Sequence, residues 1–286
     1  MHKGEVSVTR RLLSIVASGA LVATLLALGT GTVAAKSINA CFVKNGSTSY
    51  GPGTGSNLQT AINQAASGAT LTIRGRCVGN FTIQAPKVLT LVGVRGHGFR
   101  VAAIDAGGSG TALAINGDFA GGTLATDVTL IDLLVTGGGT GIFNFHGIVT
   151  LDGSTRVSGN TARGIAQSTG NLTLNDQSTV SGNSATVGGA GIYTFRGTVT
   201  LNDAASVTGN VSGGSGGGIA LDFGSVRLAG SSSVTGNTAG VDGGGIGHYF
   251  GAAATAGNTI EACGTWAGAI SPNTPNDAPT PTVVAC

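Results

Sequence analysis

Charge is scarce in this chain. Lys, Arg, Asp and Glu make up 9% of its 286 residues, where a soluble domain carries about 25%. The net charge of +2 comes from the N-terminus, where Lys3, Arg10 and Arg11 face Glu5 alone. The remainder is balanced, with 11 basic and 11 acidic residues. No basic stripe is present, which argues against nucleic acid and against charge-driven binding to acidic surfaces. Past residue 35 no segment is apolar enough to cross a bilayer. The four cysteines, Cys41, Cys77, Cys263 and Cys286, lack zinc-ligand spacing and have no histidine close by, so no metal centre is indicated. The 52 glycines have no every-third spacing, which excludes collagen. Glycine runs such as Gly213–Gly218 are not followed by Gly-Lys-Ser/Thr, which removes a phosphate loop.

What is present begins with an export pattern. Arg10-Arg11 give a positive start, Leu12 to Leu28 an apolar stretch, and Val33-Ala34-Ala35 small residues before Lys36. Residues 1–35 therefore read as a cleaved signal, and Thr9-Arg10-Arg11-Leu12-Leu13 partly matches a twin-arginine signal, leaving the export route open. An uncleaved anchor is the alternative. With cleavage, no stable membrane insertion is expected. An even cysteine count in an exported chain suggests disulfides. Of three possible pairings, Cys41–Cys77 and Cys263–Cys286 are favoured, because each would tie one end of the molecule.

The organising feature is a repeat. Gly-Ile, four variable residues and Gly recur from Gly141, Gly164, Gly191, Gly218 and Gly245, at intervals of 23, 27, 27 and 27. Between copies lie a Val/Leu-x-Leu triplet (Val149–Leu151, Leu172–Leu174, Val199–Leu201, Val226–Leu228) and Val-Ser/Thr-Gly-Asn ending at Asn160, Asn183, Asn210 and Asn237. Self-similarity at this period means a solenoid. Period-two alternation puts Val and Leu of each triplet inside and Thr outside. The four asparagines should stack as a turn ladder, each accepting a positive φ and pairing its amide with the coils above and below. The expected layout is a cap over 36–69 with a helix at 56–68, a parallel β-helix over 70–262 with regular coils at 128–251, and a Pro-rich tail over 263–286. In the cap, Ala40–Val43 reads as a strand followed by a Gly/Ser/Pro loop. The helix is capped by Ser56 or Asn57, ends at Gly68 and covers the open end of the core. The tail is expected to be extended or loosely packed.

The Gly-Gly-x-Gly-Ile blocks beside Ser/Thr-Gly-Asn resemble the repeats of polymorphic outer-membrane proteins. More broadly, with the helix 56–68 leading into Gly68-Ala69-Thr70-Leu71-Thr72-Ile73, residues 56–260 resemble the right-handed parallel β-helix, or pectin-lyase-like, superfamily. The resemblance implies an all-β, single-stranded right-handed parallel β-helix. It implies several activities, because the superfamily spans lyases, hydrolases, adhesins and passenger domains. Two departures stand out. The outer-membrane repeat has Phe where this chain has Val157, Val180, Val207 and Val234, and no alternating C-terminal barrel strands precede Cys286.

Lyases of that superfamily hold calcium with clustered Asp/Glu and use Arg or Lys as base; hydrolases use paired carboxylates. In this sequence the variable columns between the paired glycines place Arg196, Asp222, His248 and Tyr249 on neighbouring coils. Phe145, Phe195 and Tyr249 share a column and form an aromatic strip if they face outward, which suits the flat face of a sugar ring. Only one carboxylate, Asp222, falls there. Asp176 and Asp203, with Asp152 one place earlier, could hold calcium, although Asn-Asp is common at turns for backbone reasons. Gly96-His97-Gly98 matches a short motif of pectin hydrolases, but no aspartate precedes it past residue 35 and no Arg-x-Lys follows. The expectation is a secreted or cell-surface monomer without catalytic residues that contacts a polysaccharide or cell-surface glycan and needs no cofactor. An extracellular polysaccharide lyase or glycoside hydrolase is the alternative.

Overall fold

A Val-x-Leu triplet in extended backbone turns both apolar side chains to one side. Repeated every 23 or 27 residues, it can bury that side only against neighbouring copies. The computed structural model of the chain describes residues 40–96, 101–118, 126–249, 258–264, 267–271, 273–274 and 282–284, and in it the copies stack in register. Val128, Val149, Leu172, Val199 and Val226 form one column, and Leu130, Leu151, Leu174, Leu201 and Leu228 the next. Val157, Val180, Val207 and Val234 form a third, and Ile142, Ile165, Ile192, Ile219 and Ile246 a fourth. All are fully buried. Each such side chain contributes about 1.5–3 kcal/mol on leaving water. The described chain is all-β apart from one helix, with mostly parallel strands in stacked sheets, compatible with a β-helix or solenoid-like fold. The export pattern at 1–35 lies outside the described residues. Among those described, no helix is long and apolar enough to cross a membrane.

One rung shows the route. The chain runs through Ile148–Asp152, turns into Arg156–Ser158, turns again into Arg163–Ser168, and Asn171–Leu174 begins the next rung. The third strand of each rung belongs to a seven-stranded parallel sheet that follows chain order from Phe81–Gln84 to Ile246–His248. The 27-residue rungs differ from the 23-residue one between the ladder asparagine and the Gly-Ile pair. The four additional residues there make room for a short fourth sheet, Ser184–Ala185, Val211–Ser212 and Thr238–Ala239. They also lay a glycine-rich loop on the outer face of the seven-stranded sheet. A Cβ on Gly216 (φ +67°) would meet the Ala220 Cβ at 2.7 Å, and one on Gly189 (φ +74°) the Tyr193 Cβ at 2.8 Å. The glycine blocks thus record backbone lying directly on a neighbouring strand.

The asparagine ladder forms and is buried. Asn160 Nδ2 donates to Asn183 Oδ1 at 3.0 Å, Asn183 to Asn210 at 3.0 Å, and Asn210 to Asn237 at 2.9 Å. The same oxygens also accept the backbone N–H of the rung before. One expectation is corrected: the positive φ belongs to the preceding Gly159, Gly182, Gly209 and Gly236, not to the asparagines. Glycine takes that conformation without a Cβ clash, which frees each asparagine to act through its side chain.

The ends depart from the sequence reading. The helix is Ser56–Gln64, shorter than 56–68. Its N-cap is Gly55, without a side-chain cap. A Cβ on Gly55 would lie 1.9 Å from the Val78 carbonyl oxygen, so close packing rather than capping chose this residue. Asn57 instead donates its side-chain amide to the Cys41 carbonyl at 3.3 Å. At the other end, Ala65 is already extended. The buried Leu58, Ala61 and Ile62 do cover the core. The helix shares the cap with a hairpin, because the supposed loop holds a strand, Thr48–Gly53, antiparallel to Cys41–Asn45. Gly46-Ser47 is a two-residue turn with positive φ at the glycine, the chemistry of a type II′ hairpin. Cys41–Asn45 also pairs antiparallel with Ala69–Val78 and so covers the first edge of the sheet. The Cys41–Cys77 disulfide joins these strands, and both cysteines are fully buried. Cys263 is also disulfide-bonded; Cys286, its expected partner, lies outside the described residues. The described part of the tail is less loose than expected. Ala269 bridges Ser233, Thr274 bridges Thr238, Asn273 extends the ladder above Asn237, and Thr282–Val284 pairs in parallel with Thr259–Cys263.

Because Asn210 both gives and receives ladder bonds out of reach of water, Asn210→Ala leaves several buried groups unpaired. It should lower unfolding stability by about 3 kcal/mol in urea titration. The outward Thr200→Ala should change it by less than about 0.5 kcal/mol. Equal effects would contradict the ladder's role.

Candidate functional site

The strip between the paired glycines has the register the repeat implies: Phe143, Ala166, Tyr193 and Ala220 align, as do Phe145, Ser168, Phe195 and Asp222. Alternation sorts it into two faces. Asn144, Gln167, Thr194 and Leu221 point inward and are buried. The polar three join in a second ladder: Asn144 Nδ2 donates to Gln167 Oε1 at 3.3 Å, and Gln167 Nε2 to Thr194 Oγ1 at 3.3 Å. His248 continues this inward column, and its Nδ1 lies 2.8 Å from Asn258 Nδ2. It therefore belongs to the packing of the last rungs.

On the outward face the first rung of the strip is bare. Phe143 and Phe145 are 36% and 41% exposed, with parallel rings 6.5 Å apart. Phe195 is half-buried and Phe223 47% exposed. The Arg196 guanidinium lies 5.0 Å from the Phe195 ring centre and 5.9 Å from that of Phe223, within cation–π range. Arg196 and Phe223 sit in a corner column with His146 and Thr169, all with φ of 50–55°. Bulky residues rarely adopt this conformation. These four consecutive rungs repeat it whatever the side chain, and rung-to-rung bonds hold it, as in Arg196 N–H to the Asp222 carbonyl at 2.9 Å. It is a requirement of the corner, and it splays these side chains outward.

Asp222 and Tyr249 belong elsewhere. Asp222 is 4% exposed; its Oδ2 accepts the Tyr193 hydroxyl at 2.9 Å and its Oδ1 is buried without a hydrogen-bond partner. The Tyr193 ring meets that of Tyr249 edge-on at 4.8 Å, and the Arg163 guanidinium lies 4.6 Å over Tyr193. Burial, then the hydrogen bond to Asp222 and its charge, push the Tyr193 phenol well above its ordinary range. So Phe145 stacks with Phe143, and two rungs on Arg196 lies against Phe195 and Phe223, with the Ser168 rung between the two groups. Asp222 and Tyr249 join Tyr193 and Arg163, and His248 turns inward. Arg196, Asp222 and His248 do not gather round one point. The missed contact between Tyr193 and Asp222 is diagonal, since Tyr193 pairs with Ala220 and Asp222 is two residues further on. Long side chains do reach such diagonal partners, and Phe143 and Phe223 were visible in the same columns.

The aspartates at the other corner serve the backbone. Asp176 Oδ2 accepts Gly153 N–H and Asp203 Oδ2 accepts Asp176 N–H, each at 3.2 Å. Partial burial, then the Asp176 hydrogen bond, raise the Asp152 carboxyl above its usual range. Among the described residues no three His, Cys, Asp or Glu side chains are grouped to hold a metal ion. His97 and Gly98 lie outside the described residues. Comparison with known proteins finds no matching family model, characterised sequence or solved structure. The site therefore has to be read from its own chemistry, which is an exposed aromatic strip beside a single buried carboxylate held by a neutral phenol.

A phenol whose pKa is raised on folding contributes stability that is complete below its unfolded value of about 10 and is lost as pH rises through the folded value. In alkaline titration followed by tyrosinate absorbance, Tyr193 should ionise late, and Asp222→Asn should move it earlier. Tyr193→Phe should flatten the loss of stability above about pH 10. An unchanged absorbance titration in Asp222→Asn would rule out the coupling.

Proposed function

We propose that this chain is an exported, non-catalytic repeat protein, a single-stranded right-handed parallel β-helix of pectin-lyase-like type, and that it contacts glycans through Phe143, Phe145, Phe195, Arg196 and Phe223. The observation that carries the reading is the exposure of parallel aromatic rings along a flat sheet whose packing does not require them. The same columns hold Ser168, Thr169 and Ala166 on the next rung, and the fold is continuous through it. Large rings left in water mark contact surfaces, and their faces suit the C–H side of a pyranose ring. Arg196 adds donors for ring and hydroxyl oxygens at the edge of that platform. The disulfide between Cys41 and Cys77 fits an oxidising, extracellular setting. The alternative, an extracellular polysaccharide lyase or glycoside hydrolase, would draw on Arg196, Asp222 and His248, whose side chains serve three different surroundings.

The test is affinity electrophoresis against a panel of neutral plant and microbial polysaccharides, with reducing-end assay of the same mixtures. At least one glycan should retard the protein without being cleaved. Phe145→Ala and Phe223→Ala should each weaken retardation about tenfold, with melting temperature unchanged. Cleavage abolished by Asp222→Asn would overturn the reading in favour of an enzyme. No retardation by any glycan would overturn it as a binding module.

A further inference from the structure

The balanced charge beyond residue 35 conceals a division along the chain. Residues 36–104 hold seven Lys/Arg and no Asp or Glu, whereas residues 105–286 hold four Lys/Arg and eleven Asp/Glu. The even total argued against charge-driven contacts; the distribution reverses that argument for the first rungs. Part of the early positive charge is spent internally. Arg76 pairs with Asp105, and Lys87 Nζ donates to the Ile62 carbonyl at 2.6 Å, at the end of the helix. Arg95 is not spent, nor is Arg156, which follows it by 61 residues but lines the same groove. Both are exposed, and neither makes a hydrogen bond or ion pair with a described residue.

The rest of the groove has a definite character. Val94 and Val101 give it an apolar wall, Val101 being 47% exposed. Asp132 and Ser154 complete it. Asp132 Oδ1 accepts both the backbone N–H and the hydroxyl of Ser154, at 2.9 and 2.7 Å, so Oδ2 is left for another donor. Those two bonds, and behind them the Arg95 charge, hold the Asp132 carboxyl below its usual range, so it is ionised at neutral pH. Among the described lining residues, two guanidinium groups and one carboxylate amount to one net positive charge.

We propose that this groove binds a monoanionic oxyanion, a carboxylate or a sulfate or phosphodiester group, carried on a hydroxylated carbohydrate-like chain. Guanidinium forks match two-oxygen anions, and a single anionic charge on the ligand balances the one net positive charge of the described lining residues. Asp132 Oδ2 accepts a hydroxyl of the same ligand, and the valines cover its C–H face. Among the described lining residues none carries an aromatic ring. The proposal is independent of the aromatic strip, because it rests on other residues and on charge.

The full chain is tested in low salt against polygalacturonate, dextran sulfate, poly(glycerol phosphate) and neutral dextran. At least one of the three anionic polymers should bind and neutral dextran should not compete; which polymer binds identifies the anion. Arg95→Gln and Arg156→Gln should each weaken that binding about tenfold. Arg227→Gln, whose guanidinium pairs with Glu261 at 3.2 Å, should leave it unchanged. Failure of all three anionic polymers, or full binding by the double variant with an unaltered melting temperature, would overturn the proposal. If the double variant loses its cooperative melt, Arg156→Lys decides, because it keeps the charge and loses the fork. Weakened binding then supports the groove, and wild-type binding contradicts it.

Discussion

The buried asparagine amide at each corner is the constraint on which the rest depends. It sits where the chain must turn, out of reach of water, and its donors and acceptor are satisfied only by the rung above, the rung below and its own corner. A slip of one residue would remove all of these partners at once and turn the Val and Leu columns outward. Apolar burial supplies the larger share of stabilisation, but it tolerates Val for Leu and Ile for Val along a column. The amide tolerates no displacement. Register thus comes from a polar group, and energy from the apolar columns beside it.

Once register is fixed, the outer side chains are released from structural duty. The corner column accepts His146, Thr169, Arg196 and Phe223 in one strained backbone conformation, because hydrogen bonds between rungs hold that conformation for any of them. A surface can then vary from rung to rung on an unvarying frame. The aromatic strip and the arginine groove are two uses of that freedom. One presents ring faces in a chain poor in charge, and the other sets Arg95 of the basic early stretch beside Arg156. The glycine-rich loops restrict the same freedom over the later rungs, where Gly216 lies on Ala220.

Interior columns could be read from the sequence because period-two alternation and a fixed repeat determine neighbours in a parallel stack. Val149 had to meet Leu172, and Asn183 had to meet Asn210. The ends were harder, because no repeat constrains them. Gly46-Ser47 carried a hairpin signal in a stretch dominated by glycine, serine and proline. The choice of Gly55 as N-cap reflects the 1.9 Å that would separate a Cβ there from the Val78 carbonyl oxygen, a tertiary fact with no local mark. The candidate site was legible as columns but not as contacts. Side chains such as Tyr193 reach diagonally to Asp222, and Arg95 meets Arg156 only because the intervening rungs bring them to one corner.

If each rung depends only on its neighbours, one rung can be removed whole. Deleting residues 198–224 brings Ser225 to the place of Thr198, its partner in register, and Asn237 to that of Asn210. Urea unfolding of this deletion, followed by far-UV circular dichroism, is the most direct test. A single cooperative transition should persist, with native ellipticity per residue unchanged and a slope reduced roughly in proportion to the lost length. A chain that unfolds without cooperativity, or has lost its β signal in water, would contradict the account.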